Sequence, residues 1–161
     1  MKTISPLSFE PAKFEGYADF EHFENKALRL CFFCNSRGMA VRPLQVTPDY
    51  VLLPATTRVD GPFVIIPGCW LVVPRAHVTS HGDLPDNWTA SVKEAVSFLG
   101  LSVALGKPYN ITENWGSDAG QTAQHAHTWI VSRGNDEEGL LSARTGLASI
   151  LLRIKERGVL A

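Results

Sequence analysis

Two histidines separated by a single residue, His125 and His127, are the feature of this sequence that points most directly to chemistry. Residues 124–131 around them contain no Gly or Pro and include aromatic and β-branched residues, which predicts a β-strand. Because side chains alternate between the two faces of a strand, His125, His127 and Trp129 should share one face. The opposite face is then small and largely apolar, suited to packing on a helix, and comprises Ala126, Thr128 and Ile130.

The loop before the histidines, residues 114–122, has the composition of an anion-binding loop. It supplies glycines, hydroxyl groups and backbone N–H groups that lie outside regular structure. Two imidazoles beside such a loop suggest phosphate chemistry. The alternative is that the histidine pair only fills a polar strand face, and the pair by itself does not decide between the two.

A Cys-x-x-Cys motif, Cys31 to Cys34, has three interpretations. It could be half of a zinc site, a redox pair, or two buried thiols. A redox pair is expected to place its first cysteine at the N-terminus of a helix. Here the better helical pattern, residues 20–30, lies before the motif, and this order favours a metal.

Two further residues have chemistry-bearing side chains but weaker signals. His77 comes just after an apolar strand pattern, in a loop where functional side chains can converge, although taken alone it is an ordinary loop histidine. Cys69 lies among apolar residues and is most simply interpreted as a small buried side chain.

The length and composition indicate one domain in a reducing compartment. A chain of 161 residues can bury a core as a single domain, 1–161. The net charge of -1 and the lack of a basic run argue against a general nucleic-acid surface. No apolar stretch reaches membrane length and the N-terminus has no signal-peptide pattern, so no membrane partner is expected. An odd number of cysteines, three, favours the cytoplasm over a disulfide scaffold.

The remaining patterns predict an α+β fold with a covering helix. One long helix is expected over 88–105, capped by Asp86–Asn87 and closed by Gly106. An extended arm (1–19) precedes the short helix and a C-terminal helix spans about 143–158. Further strands are expected at 50–53, 63–66, 70–73 and 109–113, the second and third separated by a Pro67–Gly68 turn. Strands of this kind around one long helix indicate α+β and not a repeating βαβ array.

Taken in order, these motifs resemble the histidine-triad (HIT) family. The matching pieces are Cys31-x-x-Cys34, Pro67-Gly68-x-x-Leu71-Val72-Val73-Pro74-x-x-His77, and Asn114-x-Gly116-x-x-x-Gly120-Gln121-Thr122-x-x-His125-x-His127. The resemblance covers roughly residues 30–133. It implies an antiparallel sheet of about five strands with a covering helix, and commonly a homodimer. The family includes nucleoside phosphoramidases, diadenosine polyphosphate hydrolases and the galactose-1-phosphate uridylyltransferase branch.

The resemblance also implies a role for each matching residue. His127 looks like the nucleophile, which attacks the α-phosphorus of a nucleotide and forms a nucleotidyl-histidine intermediate. Contacts to phosphate and ribose are implied for Asn114, Gly120, Gln121 and Thr122. In zinc-containing members the structural metal, Zn²⁺, is held by residues matching Cys31, Cys34, His77 and His125. Four nitrogen and sulfur ligands leave no open position, so such a zinc would be structural and not catalytic.

The sequence departs from the family at the third histidine of the triad, where Trp129 stands on the leaving-group side. An indole N–H donates a hydrogen bond but does not titrate near neutral pH. A leaving group that needs a proton would suffer most from this change, which favours nucleoside phosphoanhydrides over phosphoramidates.

Three functions therefore compete at this point. The leading one is a nucleotide hydrolase or nucleotidyltransferase with a histidine nucleophile. The second is a catalytically weak or inactive module that binds nucleotides or partners, which Trp129 favours. The third is a redox protein that uses Cys31 and Cys34 and binds no metal.

Overall fold

The computed structural model describes residues 31, 33–34, 42–58, 63–121 and 123–133. The predicted arm (1–19), the short helix (20–30) and the C-terminal helix (143–158) lie outside these residues. The extent of the single domain, 1–161, therefore stays a prediction. Within the described part of the chain, no helix is long and apolar enough to cross a membrane.

Five strands form one antiparallel sheet in the order β1-β2-β3-β5-β4. They are β1 (Gln45–Val46), β2 (Tyr50–Arg58), β3 (Phe63–Pro74), β4 (Tyr109–Glu113) and β5 (Thr128–Ser132). Among the described residues, one α-helix, α1 (Trp88–Phe98), connects the two halves of the sheet in sequence. This architecture confirms the predicted α+β class, the antiparallel sheet of five strands and the covering helix.

The two faces of the sheet carry different partners. Helix α1 packs on one face, and the core there is formed by Tyr50, Leu52, Val72, Ile130, Trp88, Val92, Ala95, Val96 and Leu101. On the other face, Phe33 packs against Val51, Leu53 and Val73. Because successive strand residues point to opposite faces, these two apolar sets alternate along β2 and β3. The sheet thus separates the helix from the Cys-x-x-Cys segment.

The helix is shorter than the predicted 88–105. It ends at Phe98, and Gly100 follows with a positive φ of 64°. A short 3₁₀ turn, Val103–Leu105, comes next, and Gly106 (φ 68°) closes that turn instead of the helix. Val103, which lies within the predicted helix range, is 77% exposed, whereas Leu101 is buried in the core. A glycine in the left-handed region is a common helix end, and here it outweighs the apolar pattern beyond it.

The two strands predicted at 63–66 and 70–73 form a single strand, β3, and the turn predicted between them is wrong. Residues 66–69 of β3 stand opposite Ala55 alone on β2, because the pairing register shifts between Pro54 and Thr56. Pro67 and Gly68 (φ 71°) thus lie in a bulge. Prolines and glycines mark bulges as well as turns, since a bulge removes ladder hydrogen bonds and permits positive φ.

Candidate functional site

The histidine pair lies immediately before β5 and not within it, so the strand predicted at 124–131 begins four residues late. Both neighbours of β5 stop pairing at Thr128, which stands opposite Val72 on β3 and Glu113 on β4. The N–H of Ala126 instead donates to the carbonyl of Val78 at 2.7 Å. The side chains before and after Thr128 nevertheless point to the faces of the sheet that were predicted for them.

Side-chain contacts identify which face the histidines occupy. The ring of Phe33 lies 5.7 Å from that of His125 and 5.5 Å from that of His127. Thr128 points the other way, towards the Trp88 indole of α1. His125 and His127 therefore share the face that carries the Cys-x-x-Cys segment, as the alternation of side chains predicted.

His127 is held as a neutral imidazole with one nitrogen available. It is only 7% exposed, and its Nδ1 lies 2.9 Å from the backbone carbonyl of His125. A carbonyl can only accept, so Nδ1 carries the proton and Nε2 carries the lone pair. Burial lowers the pKa of His127, partly opposed by the hydrogen bond to the carbonyl. This is the state in which an imidazole acts as a nucleophile.

Cys31, Cys34, His77 and His125 converge on one point, as the resemblance implied. Their ligand atoms all lie within 4.8 Å of one another. Cys34 Sγ is 3.3 Å from Nδ1 of both His77 and His125, and Cys31 Sγ is 3.5 Å from Nδ1 of His125. A tetrahedral zinc with ordinary bond lengths places its sulfur and nitrogen ligands about 3.5 Å apart. The four side chains therefore fit a closed tetrahedral zinc site.

The surroundings of this cluster also suit a metal. His125 donates from Nε2 to the carbonyl of Pro74 at 2.8 Å, which leaves Nδ1 unprotonated and facing the thiols. A hydrogen bond from Cys34 lowers the pKa of the Cys31 thiol to about 3, and the same contact raises that of Cys34. Cys31, Cys34 and Cys69 are all free thiols. Cys69 is 1% exposed, which confirms it as a small buried side chain.

The candidate phosphate loop is built around two glycines and a short 3₁₀ turn, Ser117–Ala119. Gly116 (φ 86°) precedes the turn and Gly120 (φ 87°) follows it. The side-chain oxygen of Gln121 accepts from the N–H of Gly116 at 2.7 Å, and a Cβ on Gly120 would lie 3.6 Å from Nδ2 of Asn114. Asn114, Gly120 and Gln121 are thus in one loop, whereas Thr122 lies outside the described residues.

The N–H groups of this loop are less available than the composition indicated. Those of residues 119, 120 and 121 donate to loop carbonyls, and that of Gly116 donates to Gln121. The side-chain amides of the loop are therefore candidate donors to an anion, together with the N–H groups at the start of the 3₁₀ turn. Because Oε1 of Gln121 is engaged, its amide nitrogen is the end left to donate to a ligand.

Replacing the two loop glycines by alanine is expected to destabilise the protein unequally. Gly116 (φ 86°, ψ 157°) occupies a region that only glycine visits readily, and Gly120 (φ 87°, ψ 18°) lies in the left-handed region. We expect Gly116→Ala to lower the free energy of unfolding by about 2–3 kcal/mol and Gly120→Ala by about 1–2 kcal/mol. Gly82→Ala is the matched control, because Gly82 has no positive φ and its Cβ would reach nothing closer than 4.0 Å. Urea unfolding of the three variants measures these losses in the free energy of unfolding. Equal losses in all three variants would contradict the expected order.

No protein-family model and no curated protein matches the sequence. Solved structures do match. A histidine triad protein from Clostridium difficile aligns at 21% identity over 66% of this chain and 92% of its own, with a TM-score of 0.50. A hypothetical protein from Leishmania major aligns at 19% identity over 67% of this chain and 76% of its own, with a TM-score of 0.53. The chain has the histidine-triad (HIT) fold.

In this HIT fold, Trp129 lies beside the histidine that precedes it on the same face. Its indole ring is 6.3 Å from the ring of His127, and on β3 it stands opposite Leu71. The indole Nε1 is buried and, among the described residues, has no hydrogen-bond partner. The position that the resemblance gives to a third histidine thus holds an unpaired donor next to His127.

Sequence reasoning missed a polar cluster on the helix face of the HIT fold, centred on Glu113. Its Oε1 accepts from the hydroxyl of Thr128 at 2.5 Å and from the indole of Trp88 at 3.2 Å. Its Oε2 accepts from the indole of Trp115 at 3.2 Å. Two of the partners lie 15 and 25 residues away in sequence, so no local motif could reveal the cluster.

Phe33 was also missed, although it lies inside the Cys-x-x-Cys motif. Besides contacting both histidine rings, Phe33 packs in the apolar cluster that includes Ala123, two residues before His125. Its apolar character and its place between two metal-ligand candidates were visible in the sequence. Only the fold brings it against His127.

Proposed function

We propose that this protein is a nucleotide hydrolase or nucleotidyltransferase that acts on nucleoside phosphoanhydrides through a nucleotidyl-histidine intermediate at His127. The observation that carries the proposal is the hydrogen bond from His127 Nδ1 to the carbonyl of His125. It fixes the tautomer and directs the lone pair to Nε2, away from the backbone. A buried, neutral and oriented imidazole next to a glycine-containing loop is suited to attack on phosphorus.

The reaction would proceed in two displacements. His127 Nε2 forms a bond to the α-phosphorus while the bond to the bridging oxygen breaks, and the leaving phosphate keeps the electron pair. An acceptor oxygen, from water or from a second substrate, then forms a bond to phosphorus as the P–N bond breaks, and its proton passes to solvent. The side-chain amides of Asn114 and Gln121, with Gly120 and Thr122 in the same segment, would bind the phosphate and ribose groups.

Trp129 supports the choice of phosphoanhydrides. A phosphate or pyrophosphate leaves as a stabilised anion, so it needs no proton from the enzyme. The amine of a phosphoramidate needs one, and an indole cannot supply it near neutral pH. The unpaired N–H of Trp129 could instead donate a hydrogen bond to a leaving oxygen.

Zinc fits the cluster of Cys31, Cys34, His77 and His125 as a structural metal. When bound, it would supply a fixed cross-link between the Cys-x-x-Cys segment and the histidine segment. Residues of the chain itself then hold the His127 ring in place. The carbonyl of His125 orients the His127 ring and Phe33 packs against it.

A second candidate function is a nucleotide-binding or interaction module without catalysis. The replacement of a titrating histidine by Trp129 favours it, because the fold, the loop and the metal cluster would all survive the loss of turnover. The assembly into a homodimer and the cytoplasmic location are expectations from the resemblance and the composition.

Intact-mass measurement distinguishes the two functions. The protein is incubated briefly with nucleoside di- and triphosphates, dinucleotides and nucleotide sugars, and is analysed without acid, because phosphohistidine bonds are acid-labile. We expect a nucleotidyl adduct that maps to His127 and is absent in His127→Ala. His22→Ala, which removes a histidine that the resemblance gives no role, should retain it. Nucleotide binding without an adduct or turnover on the whole panel would favour the binding module.

A further inference from the structure

Glu113 stands where three parts of the candidate site meet. It is the last residue of β4 and directly precedes Asn114 and the phosphate loop. It pairs across the sheet with Thr128, the residue after His127. Cross-strand partners point to the same face, so the Glu113 carboxylate lies on the helix face, on the side of the sheet opposite to the His127 ring.

The carboxylate divides its two oxygens between these parts. Oε1 accepts from Thr128 at the start of β5 and from Trp88 of helix α1, and the Trp88 indole N–H also reaches Thr128 Oγ1 at 3.2 Å. Oε2 binds the phosphate loop through Trp115. The Trp115 ring is packed in turn against His81, 5.4 Å between ring centroids. One side chain therefore joins the loop, the first residue of β5 and the helix.

We infer that Glu113 is a positioning residue that fixes the phosphate loop relative to His127, acting from the face of the sheet that substrate does not reach. This inference rests on the proposed function, since it assigns Glu113 to the same site. Hydrogen bonds to an ionised acceptor are shorter and stronger than those between neutral groups, and the 2.5 Å contact to Thr128 is of this kind. The bond to Trp115 is the link that reaches the loop.

The division of the oxygens explains why a carboxylate is needed. Three donors converge on Glu113, and an ionised carboxylate accepts at both oxygens. Glutamine would keep one acceptor oxygen and replace the other by an NH₂ group. If that oxygen stays with Thr128 and Trp88, the indole N–H of Trp115 faces a second donor. Glu113→Gln should then release the loop while leaving the strand and helix joined.

The test compares Glu113→Gln, Trp115→Phe and the double variant with the wild-type chain. Glu94→Gln is the matched control, because Glu94 is an exposed carboxylate on α1 outside this cluster. Hydrogen exchange of the amides of 116–121 reports the order of the loop without any ligand, and titration with AMP reports affinity. We expect Glu113→Gln to speed loop exchange and to weaken AMP binding, each by about tenfold. Glu94→Gln should change neither quantity by more than about twofold.

The double variant shows whether Glu113 acts on the phosphate loop through Trp115. Trp115→Phe removes the donor that the amide of Glu113→Gln would face, so the double variant should be no worse than Glu113→Gln, and the two losses should not add. Loop exchange and AMP affinity that stay at wild-type values in Glu113→Gln would overturn the inference. So would a loss of thermal stability alone, or strictly additive losses.

The outcomes also separate this inference from the proposed function. Should the wild-type chain form no nucleotidyl adduct, the catalytic proposal fails, yet loop exchange and AMP affinity still decide the role of Glu113. Should AMP not bind at all, loop exchange decides it alone. Trp115→Phe changes a partly exposed side chain, so it keeps the test decisive if Glu113→Gln folds poorly.

Discussion

Trp129→His is expected to raise turnover of a nucleoside phosphoramidate by about 10²- to 10⁴-fold, the usual contribution of a general acid. The change returns a titrating side chain to the leaving-group side, next to His127 and on the same face of the sheet. An amine leaves as a neutral molecule only when its nitrogen is protonated, whereas a phosphate leaves as a stable anion. Turnover of a dinucleoside polyphosphate should therefore change by less than about tenfold.

Steady-state rates on the two substrates, measured under the same conditions, give the ratio of phosphoramidate turnover to anhydride turnover for each variant. Trp129→Phe is the matched control, because it keeps an aromatic ring and removes the donor. It should leave phosphoramidate turnover low, and any fall in anhydride turnover measures the hydrogen bond from the indole N–H, which has no partner among the described residues. Equal gains on both substrates in Trp129→His would indicate that the indole acts by its bulk and not by its lack of a titrating proton.

The convergence of the four candidate zinc ligands could be predicted from sequence because it depends on motifs with fixed spacing. Cys31 and His125 are 94 residues apart, yet their side chains meet as the ordered motifs implied. The shared face of His125 and His127 followed from side-chain alternation alone. That alternation survived even though the paired strand begins at Thr128, since both rings lie against Phe33.

The predictions from sequence were wrong where one local pattern is compatible with two different structures. Pro67–Gly68 reads as a turn, but the same pair lies in a bulge once β2 supplies a continuous partner for β3. The apolar residues after Phe98 extend the helical pattern, but Gly100 ends the helix and leaves Val103 in solvent. Choosing between such outcomes requires knowledge of the neighbouring strand or core, which the local sequence does not contain.

Glu113 could not be found from sequence for a different reason. Its partners belong to the helix, the loop and β5, and no spacing rule links them. In the sequence it is simply the acidic end of a strand, Tyr109–Glu113, whose existence and bounds were predicted correctly. In the fold this position lies where three elements meet, because β5 inserts between β3 and β4 in the described sheet.

Loss of the metal is expected to unfold the site region and to change the nucleophile with it. We expect one zinc per chain in freshly purified protein by elemental analysis, held by the cluster of two cysteines and two histidines. Apparent binding free energies of structural zinc reach about 10–16 kcal/mol in small domains, comparable to the entire stability of a typical domain of about 5–15 kcal/mol. Cys34→Ser should therefore lose the zinc and several kcal/mol of stability, because it removes a thiolate that contacts both histidines.

The matched control is Cys69→Ala, which removes an equally buried thiol outside the cluster. It should keep a full complement of zinc and lose only about 1 kcal/mol, the transfer energy of a small buried group. A chelator should reproduce the Cys34→Ser thermal profile in the wild-type chain and should have no further effect on the variant. Because His125 orients His127 through its carbonyl, and Phe33 contacts both rings, loosening the cluster should also broaden the NMR signals of the His127 ring. A metal-free protein that forms a Cys31–Cys34 disulfide readily, with His127 signals unchanged, would contradict the zinc site and support the redox interpretation.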